Sequence, residues 1–91
     1  MPSNIQHDLS ERQFFVDTEG LRSVIDYRLD GDVMTIAHTG VPAELGGRGI
    51  AGELMRAAFT VAGEQGWKVI PACSYAAGWV EKHPEFKDLL A

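Results

Sequence analysis

The feature that most limits the fold of this chain is a glycine-rich run between a strand and an amphipathic helix. Residues 46–52 read GGRGIAG, and the helical pattern ELMRAAFTVAGEQG follows at once. Glycines at such a junction let backbone N–H groups converge on an anion, and the helix N-terminus adds about half a positive charge. The sequence therefore predicts a phosphate-binding loop at the start of a helix.

Two common nucleotide-binding motifs do not match this loop well. Gly47–Gly52 reads G-x-G-x-x-G, but the dinucleotide fold also needs an acidic residue about 20 positions later. That count reaches WKVIPAC at residues 67–73, which contains no acidic residue. A P-loop requires G-K-[ST] after the glycines, and none is present. The chain has 91 residues, which is enough for one domain and too few for both halves of a dinucleotide-binding fold.

Three segments before the loop alternate apolar and polar residues with a period of two, which predicts strands. They are QFFVDTEG, LRSVIDYRL and DVMTIAHTGV, at residues 13–20, 21–29 and 32–41. Gly31 lies between the second and third strands and tolerates the positive φ of a tight hairpin turn, so the sheet begins antiparallel. Residues 1–12 are polar and predict a loose segment ahead of a single domain at residues 13–91.

The part of the chain after the loop predicts a parallel β-α-β unit. Polar residues recur three or four apart from Ile50 to Gln65, which indicates an amphipathic helix, and Gly66 suits its C-terminus. WKVIPAC reads as a buried strand, but Pro71 cannot donate a ladder hydrogen bond and predicts a gap on one side. The order of elements is β-β-β-α-β-α, and the third and fourth strands run parallel around a crossover helix. The predicted fold class is mixed α/β.

The last helix is predicted over residues 75–83, with Ser74 as its N-cap and Pro84 beyond its end. Trp67, Trp79 and Phe86 are interpreted as core residues rather than as a stacking surface for a base.

Charge and composition exclude several classes of function. The formal net charge is −5 and the eight Lys and Arg residues are scattered, which argues against nucleic acid and weakly favours a basic acceptor. The single cysteine cannot form an internal disulfide, and neither a signal peptide nor a membrane-spanning stretch is visible, so we expect a cytoplasmic protein. No His, Cys and carboxylate cluster has the spacing of metal ligands, so no metal is expected.

Residues 41–86 resemble the acyl-coenzyme A site of the GNAT acetyltransferases, above all the smallest single-domain members. A strand ending in Val41 precedes a loop of the family form [QR]-x-x-G-x-[GA], in which Gly49 and Ala51 occupy the small positions. Gly46 stands at the Gln/Arg position and departs from the pattern. The resemblance implies that Val41 meets the thioester end and that the loop amides hold the pyrophosphate of acetyl-CoA: Gly47, Arg48, Gly49, Ile50, Ala51 and Gly52.

The resemblance also implies a fold and a function. The fold is a minimal GNAT fold with a splayed gap between two parallel strands, lacking the helical insertion that larger relatives carry between their first two strands. The function is transfer of an acetyl group from acetyl-CoA to an amine, which is a small amine, a peptide N-terminus or a lysine, by a monomer or a homodimer. The alternative is a non-catalytic acyl-CoA sensor or protein-interaction module. Small residues at a helix start also serve simple close packing against a sheet.

Cys73 and His38 are the candidates for catalysis. Many GNAT enzymes use a Tyr in the last helix as the acid, and the aligned residue here is Val80. The small relatives carry a Cys near the thioester, and a thiol at a helix N-terminus can act as nucleophile or acid, although Cys73 can also simply pack as a small apolar residue.

His38 is expected to share a strand face with Met34 and Ile36 because of the period of two. It is then either a core histidine or a base that activates Cys73. Ser74 and Tyr75 are candidates for hydrogen bonds to the coenzyme, or they simply cap the helix.

Overall fold

The computed structural model describes residues 4–91 and contains one five-stranded sheet with its strands in chain order. Two 3₁₀ turns, Ala43–Leu45 and Pro84–Leu89, follow the fourth strand and the second helix. The strands and helices are β1 (Gln6–Asp8), β2 (Gln13–Thr18), β3 (Leu21–Asp30), β4 (Val33–Gly40), α1 (Ile50–Gln65), β5 (Lys68–Pro71) and α2 (Ser74–Glu81).

The sheet combines three antiparallel pairings with one parallel pairing. Strands β1 to β4 are antiparallel neighbours, and Gly31 between β3 and β4 has a φ of 62°, as a tight turn requires. Strands β4 and β5 are parallel, and α1 forms the crossover between them. The predicted mixed α/β architecture is confirmed, with one strand more than the sequence indicated.

The additional strand corrects the loose segment expected over residues 1–12. Gln6–Asp8 pairs with β2, and His7 stacks on Phe14 with ring centroids 4.1 Å apart. The second ring nitrogen of His7, Nε2, forms a hydrogen bond with the hydroxyl of Tyr27. The ladder hydrogen bonds to β2 and the stacking of His7 on Phe14 both stabilise this short polar segment as a strand. Residues 1–3 lie outside the described part of the chain.

Both helices pack on the same face of the sheet, which we call the inner face. Helix α1 has the predicted bounds, and Gly66 ends it with a left-handed φ of 76°. Helix α2 joins α1 through Phe59 and Trp79, whose rings stack 5.4 Å apart. The inner core consists of buried residues of the strands and helices: Phe14, Val16, Ile25, Tyr27, Met34, Ile36, Ile50, Leu54, Met55, Ala58, Phe59, Ala62, Val69, Ala76, Trp79 and Val80.

A β-bulge in β4 reverses the faces of its last residues. Tyr27 pairs with Ile36, but the next residue of β3, Asp26, pairs with His38, so Ala37 is the extra residue. Thr39 then lies opposite the buried Ile25 on the inner face, while His38 lies on the outer face and is exposed. The expectation that His38 shares a face with Met34 and Ile36 is therefore wrong, because a bulge shifts the alternation by one residue.

The parallel pairing of β4 with β5 stops where the proline predicts. The last registered pair is Ile36 with Pro71, and the amides of Ala72 and Cys73 both donate to the carbonyl of Ile36 at 3.1 and 3.2 Å. Beyond this point β4 continues to Gly40 while the chain after β5 turns into α2. The end of pairing predicted from Pro71 is confirmed, and it coincides with the bulge; we call the region beyond it, between the last residues of β4 and the start of α2, the splayed gap.

Candidate active site

The glycine loop forms an open cradle at the N-terminus of α1. Gly47 and Gly49 have φ angles of 83° and 77°, and Gly49 is the N-cap of the helix, which therefore has no side-chain cap. The first N–H groups of a helix have no intrahelical acceptors. A Cβ atom placed on either glycine would meet nothing within 4 Å, so the space above these amides is open. Free amides, a helix dipole and open space suit a pyrophosphate.

The side chains of the loop anchor it rather than fill it. Ile50 is buried in the core, and Ala51 and Gly52 are half-buried in the first turn of α1. Arg48 was predicted beside the coenzyme, but its guanidinium contacts Glu19 of the β2–β3 turn, with Nη1 2.8 Å from Oε2. The hydrogen bond between them raises the pKa of Arg48 and lowers that of Glu19. Arg48 thus ties the loop to the turn, and its backbone amide remains available to the cradle.

Cys73 lies at the splayed gap and contacts β4. Its Sγ atom lies 3.4 Å from the hydroxyl of Thr39 and accepts a hydrogen bond of 3.4 Å from the backbone N–H of Ala76. Cys73 is therefore the N-cap of α2, and Ser74 is the first helical residue. This corrects the prediction of Ser74 as the cap. The backbone of Cys73 is extended, with φ −87° and ψ 152°, as is typical of an N-cap residue. Its sulfur therefore accepts the hydrogen bond that a side-chain oxygen usually accepts at this position.

Thr39 is the residue of this site that sequence reasoning missed. A regular period of two places Thr39 outside and His38 inside, and only the bulge at Ala37 reverses them. The sequence around the bulge offers no proline or glycine at the extra residue that would have revealed it. Val41, predicted to end the strand, follows its last residue and packs half-buried against the core.

His38 lies on the outer face above a glycine. A Cβ atom on Gly40 would come within 3.0 Å of the imidazole Nε2, so the ring occupies the space that a larger residue would take. Its cross-strand partner Asp26 accepts a hydrogen bond of 2.9 Å from the amide of Gln13. His38 and Cys73 therefore belong to opposite faces of the sheet at the same gap.

Helix α2 presents its polar side chains next to the start of α1. The hydroxyl of Tyr75 and the indole Nε1 of Trp79 lie 3.5 and 3.6 Å from where a Cβ of Gly52 would stand. Burial raises the pKa of Tyr75, so its hydroxyl stays protonated at neutral pH. Val80, which the resemblance aligns with the Tyr of many GNAT enzymes, is buried and has no group to donate.

The rings of Trp67, Trp79 and Phe86 pack against the core. Trp79 stacks between Phe59 and His83, and the His83 Nδ1 forms a hydrogen bond of 2.7 Å with the carbonyl of Trp79. The prediction that Trp67 and Trp79 are core residues is confirmed by their burial, and Phe86 is partly buried against the same core.

Two further properties concern the described residues as a whole. Across residues 4–91, no group of three or more His, Cys, Asp or Glu side chains is arranged to hold a metal ion. No helix in this part of the chain is both long and apolar enough to cross a membrane.

Known proteins are similar to this chain in both sequence and fold. A family model described as GCN5-related N-acetyl-transferase matches residues 13–89. Protein NATD1 of Gallus gallus and of Mus musculus is in each case 35% identical over 86 residues, which cover 91% of this chain and 78% of NATD1. A GCN5-like protein of Staphylococcus aureus, solved by NMR, is 33% identical with a TM-score of 0.76 and covers 97% of this chain and 87% of its own. The chain therefore belongs to the GCN5-related N-acetyltransferase family of acetyl-CoA-dependent acyltransferases.

Proposed function

We propose that this protein binds acetyl-CoA at the glycine loop and transfers the acetyl group to a primary amine that approaches from the outer face of the sheet. The observation that carries the proposal is the backbone of the loop. Gly47 and Gly49 hold left-handed conformations directly before a 16-residue helix whose N-cap has no side chain. Such a succession of outward N–H groups is a phosphate site.

The residues that would hold the coenzyme follow from the same geometry. The amides of Gly47–Gly52 would bind its pyrophosphate, with Ser74 and Tyr75 as hydrogen-bonding neighbours. The unpaired backbone of β4 and Val41 would support the reacting end, because β5 no longer covers this edge. When bound, acetyl-CoA supplies the acetyl thioester.

Cys73 is proposed to hold the proton that the leaving thiol needs. The N–H of Ala76 already occupies one side of its sulfur, and the Thr39 hydroxyl lies on the gap side at 3.4 Å. The S–H hydrogen is therefore free to be shared with Thr39 or with a group in the gap. Val80 has no proton to offer, so the role that a Tyr holds in many relatives passes to Cys73.

His38 is proposed to take the proton of the incoming amine. An amine must be neutral to attack a thioester, and an imidazole exchanges protons readily near pH 7. His38 is exposed on the outer face, and Asp26, its cross-strand partner, adds negative charge that attracts an ammonium group. Because α1 and α2 cover the inner face, the outer face is the side from which an acceptor reaches β4.

Binding and transfer are tested separately. Calorimetric titration of the chain with acetyl-CoA is expected to show saturable binding, and incubation with primary amines is expected to release free coenzyme A thiol. Failure of the folded protein to bind acetyl-CoA would refute the proposal. Binding without release of thiol, across small amines and amine-bearing peptides, would favour an acyl-CoA sensor instead.

The role of Cys73 is tested with Cys73→Ser and Cys73→Ala, two variants that differ by the side-chain oxygen of serine. Cys73→Ser keeps a good N-cap for α2, whereas Cys73→Ala removes it at a cost of about 1 kcal/mol in the free energy of unfolding. We expect Cys73→Ala to bind acetyl-CoA normally and to lose about 100-fold in turnover, the usual contribution of a general acid. Undiminished turnover would return Cys73 to a packing role. An acetyl group on Cys73 that hydroxylamine removes would replace the acid role by a covalent one.

We further propose that the protein works in the cytoplasm as a monomer or a homodimer. Its support is the composition of the chain, with one cysteine and a formal net charge of −5. Sedimentation equilibrium and fluorescence microscopy of the tagged chain test the two statements.

A further inference from the structure

A cavity of about 210 Å³ lies on the outward side of α2, next to the glycine loop. Ser74, Gly78 and Lys82 form one ridge of the helix at a spacing of four, and Tyr75 and Trp79 form the adjacent ridge.

The polar groups of this cavity are mainly donors, and none is a carboxylate. The ammonium of Lys82 has no ion pair within residues 4–91. Trp79 is only 7% exposed, and its indole N–H has no hydrogen-bond acceptor in the same described part of the chain. A cation without an ion pair and an indole N–H without an acceptor, in a chain of net charge −5, indicate a site for an anion.

Gly78 indicates that the cavity is kept open for a ligand. It lies in the middle of an eight-residue helix, where glycine is less favourable than alanine by roughly 0.5–1 kcal/mol. No packing contact requires it, since a Cβ atom at Gly78 would meet nothing within 4 Å. The absent side chain therefore leaves room for a group that is not part of the chain.

The position of the cavity along α2 suggests which anion this is. Ser74 stands beside Cys73 at the gap, Tyr75 and Trp79 face Gly52 in the first turn of α1, and Lys82 lies about 12 Å further along the helix axis. In coenzyme A the pyrophosphate lies between the thiol arm and an adenosine that carries a 3′-phosphate. With the thiol arm at the gap and the pyrophosphate at the loop, Lys82 stands on the side of the adenosine.

We infer that this cavity recognises the 3′-phosphate of the coenzyme, with Lys82 as its ion-pair partner. The inference rests on the proposed binding of acetyl-CoA at the glycine loop. Recognition of the 3′-phosphate would make the chain selective for coenzyme A over 3′-dephospho-coenzyme A. Gly78 would provide the space for the phosphate.

Calorimetric titration with both compounds tests this selectivity. The unmodified chain is expected to bind coenzyme A about tenfold more tightly than 3′-dephospho-coenzyme A, the lower range for a hydrogen-bonded charge. In Lys82→Gln the ratio should fall close to one, because only the compound with the 3′-phosphate loses affinity. Gly78→Leu, which fills the cavity, should lower the ratio in the same way.

Lys87→Gln is the matched control, because Lys87 is a nearby lysine whose ammonium lies 3.3 Å from Glu81 and outside the cavity. It should keep the full ratio. Equal affinity of the unmodified chain for both compounds would overturn the inference while leaving the loop assignment intact. Binding of neither compound would instead refute the proposed function on which the inference rests. An unchanged ratio in Lys82→Gln would remove Lys82 from the site.

Discussion

Replacing Gly49 by valine tests the phosphate loop without removing a charge or a core contact. Gly49 has a φ of 77°, a conformation that costs a residue with a Cβ roughly 1–2 kcal/mol. No atom lies within 4 Å of the position of that Cβ, so the strain is confined to the backbone. Natural domains have a free energy of unfolding of about 5–15 kcal/mol, so the variant should remain folded.

This geometry gives the expected size of two effects of Gly49→Val: the fall in Tm and the loss of affinity for acetyl-CoA. For a domain of this size, 1 kcal/mol lowers the Tm by about 4–8 °C, so Gly49→Val should unfold about 5–15 °C below the unmodified chain. Its isopropyl group would stand beside the amides that converge on the anion and would keep a phosphate from approaching them. Affinity for acetyl-CoA should fall by more than about 100-fold, as expected when several charged hydrogen bonds are lost together.

Gly31→Val is the matched control, and calorimetry with thermal unfolding is the assay. Gly31 also has a positive φ, 62°, with open space around it, but it lies in the β3–β4 turn away from the loop. Both variants should lose a similar amount of Tm, and only Gly49→Val should lose binding. Unchanged affinity in a folded Gly49→Val would refute the phosphate-cradle assignment, and measurable binding of NAD by the unmodified chain would contradict the rejection of the dinucleotide motif.

Three further predictions concern stability and the outer face. Ser23→Ala should raise the free energy of unfolding by about 1 kcal/mol, because Ser23 Oγ is the one buried side-chain N or O atom of residues 4–91 without a hydrogen bond; a lower urea midpoint would contradict this. Burial lowers the pKa of His7 below 6.5, so stability present above pH 6.5 should decline as the pH falls below it. Urea unfolding at a series of pH values should show a weaker decline in His7→Phe, and equal slopes would exclude the buried imidazole as the cause. Gly40→Ala should displace the His38 ring, because the new Cβ would come within 3.0 Å of its Nε2. Turnover should fall while the affinity for acetyl-CoA stays the same. The thiol-release assay measures the turnover, and calorimetry measures the affinity.

The elements that the sequence predicts well are those governed by local backbone chemistry. The helix at Ile50–Gln65, its end at Gly66 and the gap at Pro71 each follow from one residue type or one periodicity. Gly66 supplies a left-handed C-terminus, and Pro71 cannot continue a ladder. The glycine loop at the start of α1 is predicted for the same reason, since glycines act through their own backbone, and phosphate binding there stays a prediction.

What the sequence does not predict depends on contacts between distant segments. The strand at Gln6–Asp8 depends on the stacking of His7 against Phe14 and its hydrogen bond to Tyr27, twenty residues away in the chain. The cap of α2 by Cys73 depends on where β5 ends relative to the helix. Neither is visible in a local pattern, because a polar triplet and a lone cysteine are compatible with many environments.

The bulge at Ala37 gives β4 a different polar residue on each face of the sheet at the gap. A regular strand would turn His38 towards the core beside Ile36, where an imidazole has to lose its hydration, and would expose Thr39 to solvent. Cys73 would then have no hydroxyl across the gap. With one residue inserted, His38 and Thr39 keep their adjacent places in the chain and face opposite sides of the sheet, at the point where β5 has left. Under the proposed function, an acyl donor on the helix side and an amine on the outer face would both reach β4 without competing for the same entrance.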